Sequence, residues 1–249
     1  MTNKVLDRFP KQHAELPPEY RAIYELHYKK NRQGETAATS LSSRMERWLH
    51  VKVAEDVKDE KCGDRDTLEI GAGMLNQLSL EPNVKHYDIV EPFEELYRGS
   101  PCLGRIRMIY KDISDIPAGN SYNRITSVAA FEHILNLPEV VAKATLLLTP
   151  NGSLRVSIPN EGTLLWKLGT LITGYEYKRM YGLDYQVLMK YEHINTADEI
   201  EAVLRWFFQS VNRRVFGISK KMAFYRFLEC TGPEVERART YLATITYKA

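Results

Sequence analysis

Thr67-Leu-Glu-Ile-Gly-Ala-Gly-Met-Leu-Asn76 runs as a short apolar strand straight into two glycines one residue apart, Gly71 and Gly73. Glycine at both positions permits backbone conformations closed to other residues and lets a ligand approach the main chain closely. The third glycine of the dinucleotide fingerprint is missing, because Asn76 stands in its place, and Glu69 just ahead of the turn would repel a phosphate. Glu69 suits a cationic ligand, or a strand-end carboxylate that meets water or a helix N-terminus. A plain tight turn is the alternative for the glycine pair itself.

The stretches downstream repeat this pattern. VKHYDIVE, RIRMIY, RITSVAAF and GSLRVSIP are short apolar runs separated by helical or loop segments, a spacing that predicts a parallel sheet with crossover helices. Pro92 before FEELYR and Pro138 before EVVAKATLLL stand at helix N1 positions, and Pro150-Asn151-Gly152 reads as a turn into the fifth strand. Thr196-Ala-Asp-Glu199 has capping-box form and opens the helix EIEAVLRWFF. VNRRVFGI and MAFYRFLEC, joined by Ser219-Lys220-Lys221, read as an antiparallel hairpin, and a terminal helix begins near Pro233.

Two helices form a preface to the sheet. The first runs from Leu16 to about Lys30, opened by Pro17-Pro18, with Tyr20, Ile23, Tyr24 and Tyr28 at helical spacing. The second runs from Leu41 to about Val57, with a capping box at Ser43-Arg-Met-Glu46 and an apolar stripe of Leu41, Met45, Trp48, Leu49 and Val53.

Composition bounds the function. The chain has 249 residues, 44% of them hydrophobic and 27% charged, which is enough apolar surface for one folded domain. A net charge of +2 offers no long-range field for neutralising phosphates, so a dedicated nucleic-acid binder is not expected. Cys62, Cys102 and Cys230 lie far apart with no Cys/His cluster at metal spacing, so neither a disulfide framework nor a bound metal is expected. The N-terminus has no apolar targeting core, and the run Leu164 to Ile172, interrupted by Lys167, falls short of the roughly 20 residues of a spanning helix. These features point to a cytoplasmic protein with no transmembrane segment.

Acidic residues fall at the ends of successive strands. About 20 residues after the glycine turn, the second strand ends in Glu91, where a carboxylate can take two hydrogen bonds from a ribose diol. Asp112 follows the third strand, and Glu132-His133 follows the fourth. Each alone reads as solvated surface. Together they sit at the carboxyl ends of parallel strands, the crevice where open α/β sheets bind ligands.

At this point the chain resembles a family. Leu68-Glu-Ile-Gly-Ala-Gly73, Glu91, Lys111-Asp-Ile113, Phe131-Glu-His-Ile134 and the run from Leu148 through Pro150-Asn151-Gly152 to Asn160 look like the successive motifs of class I S-adenosylmethionine-dependent methyltransferases, in the small-molecule, type 11/23-like branch. The resemblance is strong over residues 65–160, with a weaker echo in Glu192-His-Ile-Asn-Thr-Ala-Asp-Glu-Ile200 and the hairpin. It implies an α/β, Rossmann-like, seven-stranded and mostly parallel sheet with an antiparallel terminal strand. It also implies S-adenosylmethionine as cofactor. Gly71, Ala72 and Gly73 would then lie beside its methionine part and ribose, with Glu69 in the network near its amino end. Glu91, followed by Pro92, would hold the ribose hydroxyls, and Asp112 the adenine amino group beside the Ile113 backbone. Ala130 and Phe131 would lie near the methionyl segment. Leu75 departs from the pattern, replacing a frequent third glycine. Asn76 beside it either reaches the cofactor or caps a helix.

The expected organisation is a single methyltransferase domain: a helical cap (1–64), the cofactor core (65–160), a lid insert after the fifth strand (161–192), and a terminal helix, hairpin and helix (193–249). Methyl transfer chiefly requires alignment and exclusion of water, while an alcohol acceptor also needs its proton removed, commonly by histidine. His133 and His193 are the candidates by position; each also has a structural reading. His27 reads as packing on the preface helix. The insert carries Trp166, Tyr175, Tyr177, Tyr181, Tyr185 and Tyr191 with Lys167, Lys178, Arg179 and Lys190, which suits a sugar or other small acceptor, or a packed lid with solvated charges. The expected reaction is methylation of oxygen, and less so nitrogen, on a small molecule such as a carbohydrate or glycan precursor. Assembly of copies is left open. The alternatives are a nicotinamide-dependent oxidoreductase and a non-catalytic cofactor-binding scaffold.

Overall fold

Five short runs form the parallel part of the sheet: β1 (Asp66–Ile70), β2 (His86–Val90), β3 (Met108–Tyr110), β4 (Tyr122–Val128) and β5 (Leu148–Pro159). The structure is a computed structural model that describes residues 4–21, 23, 40–59, 64–161, 163, 174–175 and 177–246. β6 (Phe208–Ser219) and β7 (Met222–Pro233) complete a seven-stranded sheet in the order β3-β2-β1-β4-β5-β7-β6. β7 runs antiparallel to both β5 and β6, as the hairpin reading requires, and Lys220-Lys221 is its two-residue turn. The order reverses between β1 and β4, so the connections leave those strands in opposite directions and a crevice opens at their carboxyl ends.

Helices cover both faces. They are α1 (Ser40–Ala54), α2 (Asn76–Ser79), α3 (Glu94–Tyr97), α4 (Leu137–Leu147), α5 (Tyr185–Glu192), α6 (Ala197–Phe207) and α7 (Val235–Thr246). α4, α6 and α7 pack on one face, where Val141, Ile200, Leu204 and Phe207 join Leu68, Ile70, Ile125 and Leu154 in the main core. α6 starts where the capping box predicts. The Thr196 hydroxyl accepts the Glu199 N–H while the Glu199 carboxylate accepts the Thr196 N–H, and these two bonds satisfy two otherwise orphaned donors.

α1 covers the other face through Leu49 and Val53, which meet Val128 and Phe227. The centre of that face is polar. Arg124, fully buried on β4, donates to both oxygens of Glu81 at 2.7 and 2.8 Å, to the Val53 carbonyl at 2.9 Å and to Asp56 at 3.1 Å. Arg155 on β5 reaches the carbonyls of Val53 and Lys52, each at 2.9 Å, and lies over the Phe227 ring. Two guanidinium groups thus take up carbonyls in the last turn of α1, where the helix dipole is negative, and dock the leading segment onto the sheet.

Several local expectations shift. α1 begins at Ser40, so Ser43 lies inside the helix and is not its cap. Pro92 precedes the cap residue Phe93 of α3, because the chain bends at Pro92 after β2 and turns helical only at Glu94, whereas Pro138 does lie in the first turn of α4. Pro150-Asn151-Gly152 makes no separate turn. It is absorbed into β5 as a register break, with Tyr122 opposite Leu148 and Arg124 opposite Ser153. Of the first preface helix, residues 18–21 and 23 are helical; Tyr24, His27 and Tyr28 lie outside the described residues, as do Cys62, Trp166 and the run 164–172. Among the described residues no helix is long and apolar enough to cross a membrane, and no group of three or more His, Cys, Asp or Glu residues could hold a metal ion.

Candidate functional site

The glycine turn closes the end of β1. Gly71 and Gly73 both adopt positive φ, +73° and +51°, and the Gly71 N–H donates to the Val90 carbonyl at 2.9 Å. A Cβ on Gly71 would collide with the methyl of Ala130 at the end of β4, whereas a Cβ on Gly73 would meet nothing within 4 Å. The first glycine therefore lets two strand ends approach, and the second presents bare backbone to the crevice. Ala72 is buried. Leu75 also takes the left-handed conformation, φ 65° and ψ 31°, so the turn keeps its path where the family pattern has glycine. Its side chain is 1% exposed, and packing in the α2 cluster offsets a backbone cost of about 1–2 kcal/mol. The cap position of α2 is Leu75 itself, so Asn76 is the exposed first helical residue and not the cap.

Glu91, 4% exposed, lies beside this turn. Its carboxylate accepts the Gly73 N–H at 2.8 Å and the Phe93 N–H at 3.1 Å, which fixes its orientation and leaves acceptor capacity for a diol. Pro92 next to it is exposed. Asp112 ends the β3 connection as the cap of a short 3-10 turn, Ile113–Asp115, accepting from the Ser114 N–H at 2.8 Å and hydroxyl at 2.5 Å. Partial burial pushes its acidity down, but the Ser114 bonds and the Lys143 charge outweigh this and hold the carboxyl below its usual pKa. Ile113 is buried beside it. Glu69 is 2% exposed and accepts the Tyr87 hydroxyl at 2.9 Å. Burial, then the Glu81 charge, raise its pKa well above the usual carboxylate range.

Beyond β4 the chain enters a 3-10 turn, Phe131–His133. Phe131 is fully buried in the main core, so it offers the crevice its backbone and not its ring. Ala130 is half-buried. His133 and His193 come together, their rings meeting edge to face with centroids 4.9 Å apart. His133 Nδ1 lies 2.7 Å from the Glu192 carbonyl, and His193 Nδ1 pairs with the Glu161 carboxylate. Glu132 lies behind them, 2% exposed, and burial raises its pKa to about 7 although the His193 charge opposes this. His193 has a raised pKa: its own burial lowers it, but Glu161, Glu132 and Glu192 prevail.

The leading segment and the insert border these histidines. Lys11 donates to the Ile194 carbonyl at 2.9 Å and to Glu199 at 2.8 Å, His13 stacks on Tyr191 at 4.8 Å, and the Tyr20 hydroxyl accepts the Asp184 N–H at 2.9 Å. Tyr177 is buried, with the Tyr181 and Tyr185 rings 5.0 and 5.3 Å away, whereas Tyr175 is 72% exposed. Lys178, Arg179 and Lys190 are exposed. Sequence reasoning missed Glu161 and the buried Glu81, Arg124 and Arg155 network. No motif marks these residues, since each acquires its role from a partner far along the chain.

No protein-family model matches the sequence, and no curated protein does either. Solved structures do. An O-methyltransferase family protein from Burkholderia thailandensis superposes with a TM-score of 0.56 at 14% identity, over 92% of this chain and 68% of that one. A second protein from that organism, 1,6-didemethyltoxoflavin-N1-methyltransferase with its substrate and S-adenosylhomocysteine bound, gives 0.55 at 14% identity over 90% and 93%. The N-methyltransferase NodS from Bradyrhizobium japonicum, also with S-adenosylhomocysteine, gives 0.52 at 15% identity over 82% and 98%. With its seven strands in this order, its antiparallel β7 and these likenesses, the chain has the Rossmann-like fold of the class I S-adenosylmethionine-dependent methyltransferases.

Proposed function

We propose that this protein is an S-adenosylmethionine-dependent methyltransferase acting on a hydroxyl oxygen of a small molecule. The observation that carries the reading is the Glu91 carboxylate held by the Gly73 and Phe93 N–H groups, beside a glycine turn whose open side faces the crevice. That set fits the donor. Glu91 takes the ribose hydroxyls, Asp112 and the Ile113 backbone take the adenine, and Gly71, Ala72, Gly73 and Ala130 line the methionyl part. Glu69, held by the Tyr87 hydroxyl, stands in the network near the amino end of the donor. Pro92, Asn76 and the Phe131 backbone border the cradle.

When bound, S-adenosylmethionine supplies a sulfonium methyl whose carbon–sulfur bond breaks, the electron pair staying on sulfur, as the acceptor atom bonds to carbon. The protein has to align the acceptor and remove its proton. Solved relatives of the fold include both O- and N-methyltransferases, so the choice of oxygen rests on His133, in the turn after β4, and His193, at the end of α5, whose rings meet. The aromatic insert, with Tyr181, Tyr185 and Tyr191 half-buried and the first two packed on Tyr177, favours a carbohydrate or glycan precursor as acceptor.

Calorimetric titration with S-adenosylmethionine, S-adenosylhomocysteine and a nicotinamide dinucleotide tests the reading. Binding of the first two and not the third is expected. Binding of the nicotinamide dinucleotide alone would replace it with an oxidoreductase, and donor binding without methylation across a broad acceptor panel would replace it with a scaffold.

A further inference from the structure

The three most exposed large apolar side chains among the described residues are Ile218 at 83%, Tyr175 at 72% and Met180 at 67%; the other exposed ones lie at 48% or below. All three belong to segments at one end of the sheet. β7 runs antiparallel to both β5 and β6, so the turn of the β6–β7 hairpin lies at the carboxyl end of β5. There the Asn160 amide donates to the carbonyls of Lys220 and Ala223 at 2.9 and 2.8 Å. The insert that carries Tyr175 and Met180 leaves β5 at this same end and returns at Glu192, whose carbonyl lies 2.7 Å from His133 Nδ1 in the turn after β4.

The exposure of Ile218 is built into the hairpin. In the ladder Gly217 stands opposite Ala223 and Ser219 opposite Met222, so Ile218 is an extra residue on β6. A bulge of this kind re-aims the side chain it carries. Gly217 makes it possible, because its φ of +150° favours glycine and a Cβ there would collide with the Met222 carbonyl and with Ala223.

Basic residues flank both places. Lys220-Lys221 follows Ile218 at the turn; Lys220 pairs with Asp198 at 2.9 Å, and Lys221 is exposed. In the insert, residues 174–175 and 177–181 are helical, and the exposed Lys178 and Arg179 stand three and four positions after Tyr175, on its side of the helix. Large apolar side chains held in water beside cations suit the boundary of a bilayer, where the apolar groups enter the acyl region and the cations meet lipid phosphates. A second copy fits worse, since a two-fold contact through this face would bring its basic residues against like charges.

We propose that the hairpin tip and the insert form a docking surface for an anionic phospholipid bilayer, with Ile218, Tyr175 and Met180 entering its interface and Lys178, Arg179 and Lys221 facing its phosphates. A bilayer held there lies against the end of the sheet at which the crevice opens. Docking of this kind does not depend on methyl transfer.

The test is sedimentation of the full chain with vesicles of phosphatidylglycerol and phosphatidylcholine, and with vesicles of phosphatidylcholine alone. Binding to the anionic vesicles is expected, weakening as salt is added. Ile218→Ser and Tyr175→Ser should each lower the apparent affinity about tenfold. Lys221→Ser and Arg179→Ser should each lower it about fivefold. Melting curves should stay as in the wild type, because all four side chains are exposed. Absence of binding to the anionic vesicles overturns the proposal, as does equal binding to the neutral ones. Binding that folded Ile218→Ser and Arg179→Ser leave unaltered overturns it too. A chain that self-associates in sedimentation equilibrium, becomes monomeric in Ile218→Ser and ignores vesicles would assign the surface to a second copy instead. Binding of S-adenosylmethionine by a chain that ignores vesicles would remove the docking and leave the methyltransferase reading standing.

Discussion

Gly71 and Ala130 stand against each other at the mouth of the crevice, so close that a methyl group on Gly71 would overlap the one on Ala130. The contact joins the ends of β1 and β4, the two strands between which the sheet reverses its order. Gly71→Ala adds both that clash and a left-handed backbone penalty of about 1–2 kcal/mol. The variant is expected to melt several degrees lower and to lose donor binding. A wild-type melting curve would show that the two strand ends are not in contact.

Donor binding should respond to the two crevice carboxylates separately. Glu91→Ala removes the acceptor for the Gly73 and Phe93 N–H groups and, on the proposed donor site, for the ribose, and Asp112→Ala removes the group proposed to hold the adenine. At about 1.5–3 kcal/mol per charged hydrogen bond, each should weaken calorimetric binding of S-adenosylhomocysteine roughly tenfold to a hundredfold. Wild-type affinity in both variants would sink the assignment.

Leu75 inverts the usual order of helix-terminal substitutions. Its side chain is buried, so truncation costs about 2–5 kcal/mol, but its φ of 65° is one that glycine adopts freely. Leu75→Gly should therefore be less destabilising than Leu75→Ala, by about 1 kcal/mol in urea denaturation. The opposite ranking would mean the turn is not left-handed at this position.

Arg124 is the centre of the polar contact between α1 and the sheet. Arg124→Ala leaves Glu81 buried without its partner and frees the Val53 carbonyl, and should cost about 3–5 kcal/mol. Replacing Arg124 and Glu81 together by methionine should recover most of that loss, because no unpaired charge then remains. A double variant as unstable as the single one would show that packing, not charge, is what the pair provides.

Glu132 links stability to pH. Its folded pKa of about 7 lies above the ordinary 4.5, so the folded chain binds more protons than the unfolded chain between those values and stability falls as pH rises through that window. The full cost of ionising it is about 3 kcal/mol, set by the gap between those two values. Glu132→Gln should thus stabilise the protein more at pH 8 than at pH 4.5, measured by urea midpoints. An equal effect at both pH values would show that Glu132 ionises as freely as it does in the unfolded chain.

What could be read along the chain was what neighbouring residues decide among themselves. The strand runs, the Thr196–Glu199 capping box, the two-residue hairpin turn and the paired glycines are settled within a few positions, because hydrogen bonds and φ preferences act over that range. Local signals also failed: Ser43 lies inside α1, and Pro150 is accommodated in β5 by a break in the ladder.

The candidate site divides in the same way. Gly71, Gly73, Glu91 and Asp112 could be put forward from the sequence because each follows a strand, and strand ends can be counted there. The pairing of Glu161 with His193 across 32 residues and of Arg124 with Glu81 across 43 was not, since both follow from which segments the fold brings together in space. By itself the sequence determined the sheet, its hairpin and the glycine turn. Only the tertiary structure decided which charges meet, because a buried ion needs a partner in space and nothing in its own neighbourhood along the chain names that partner.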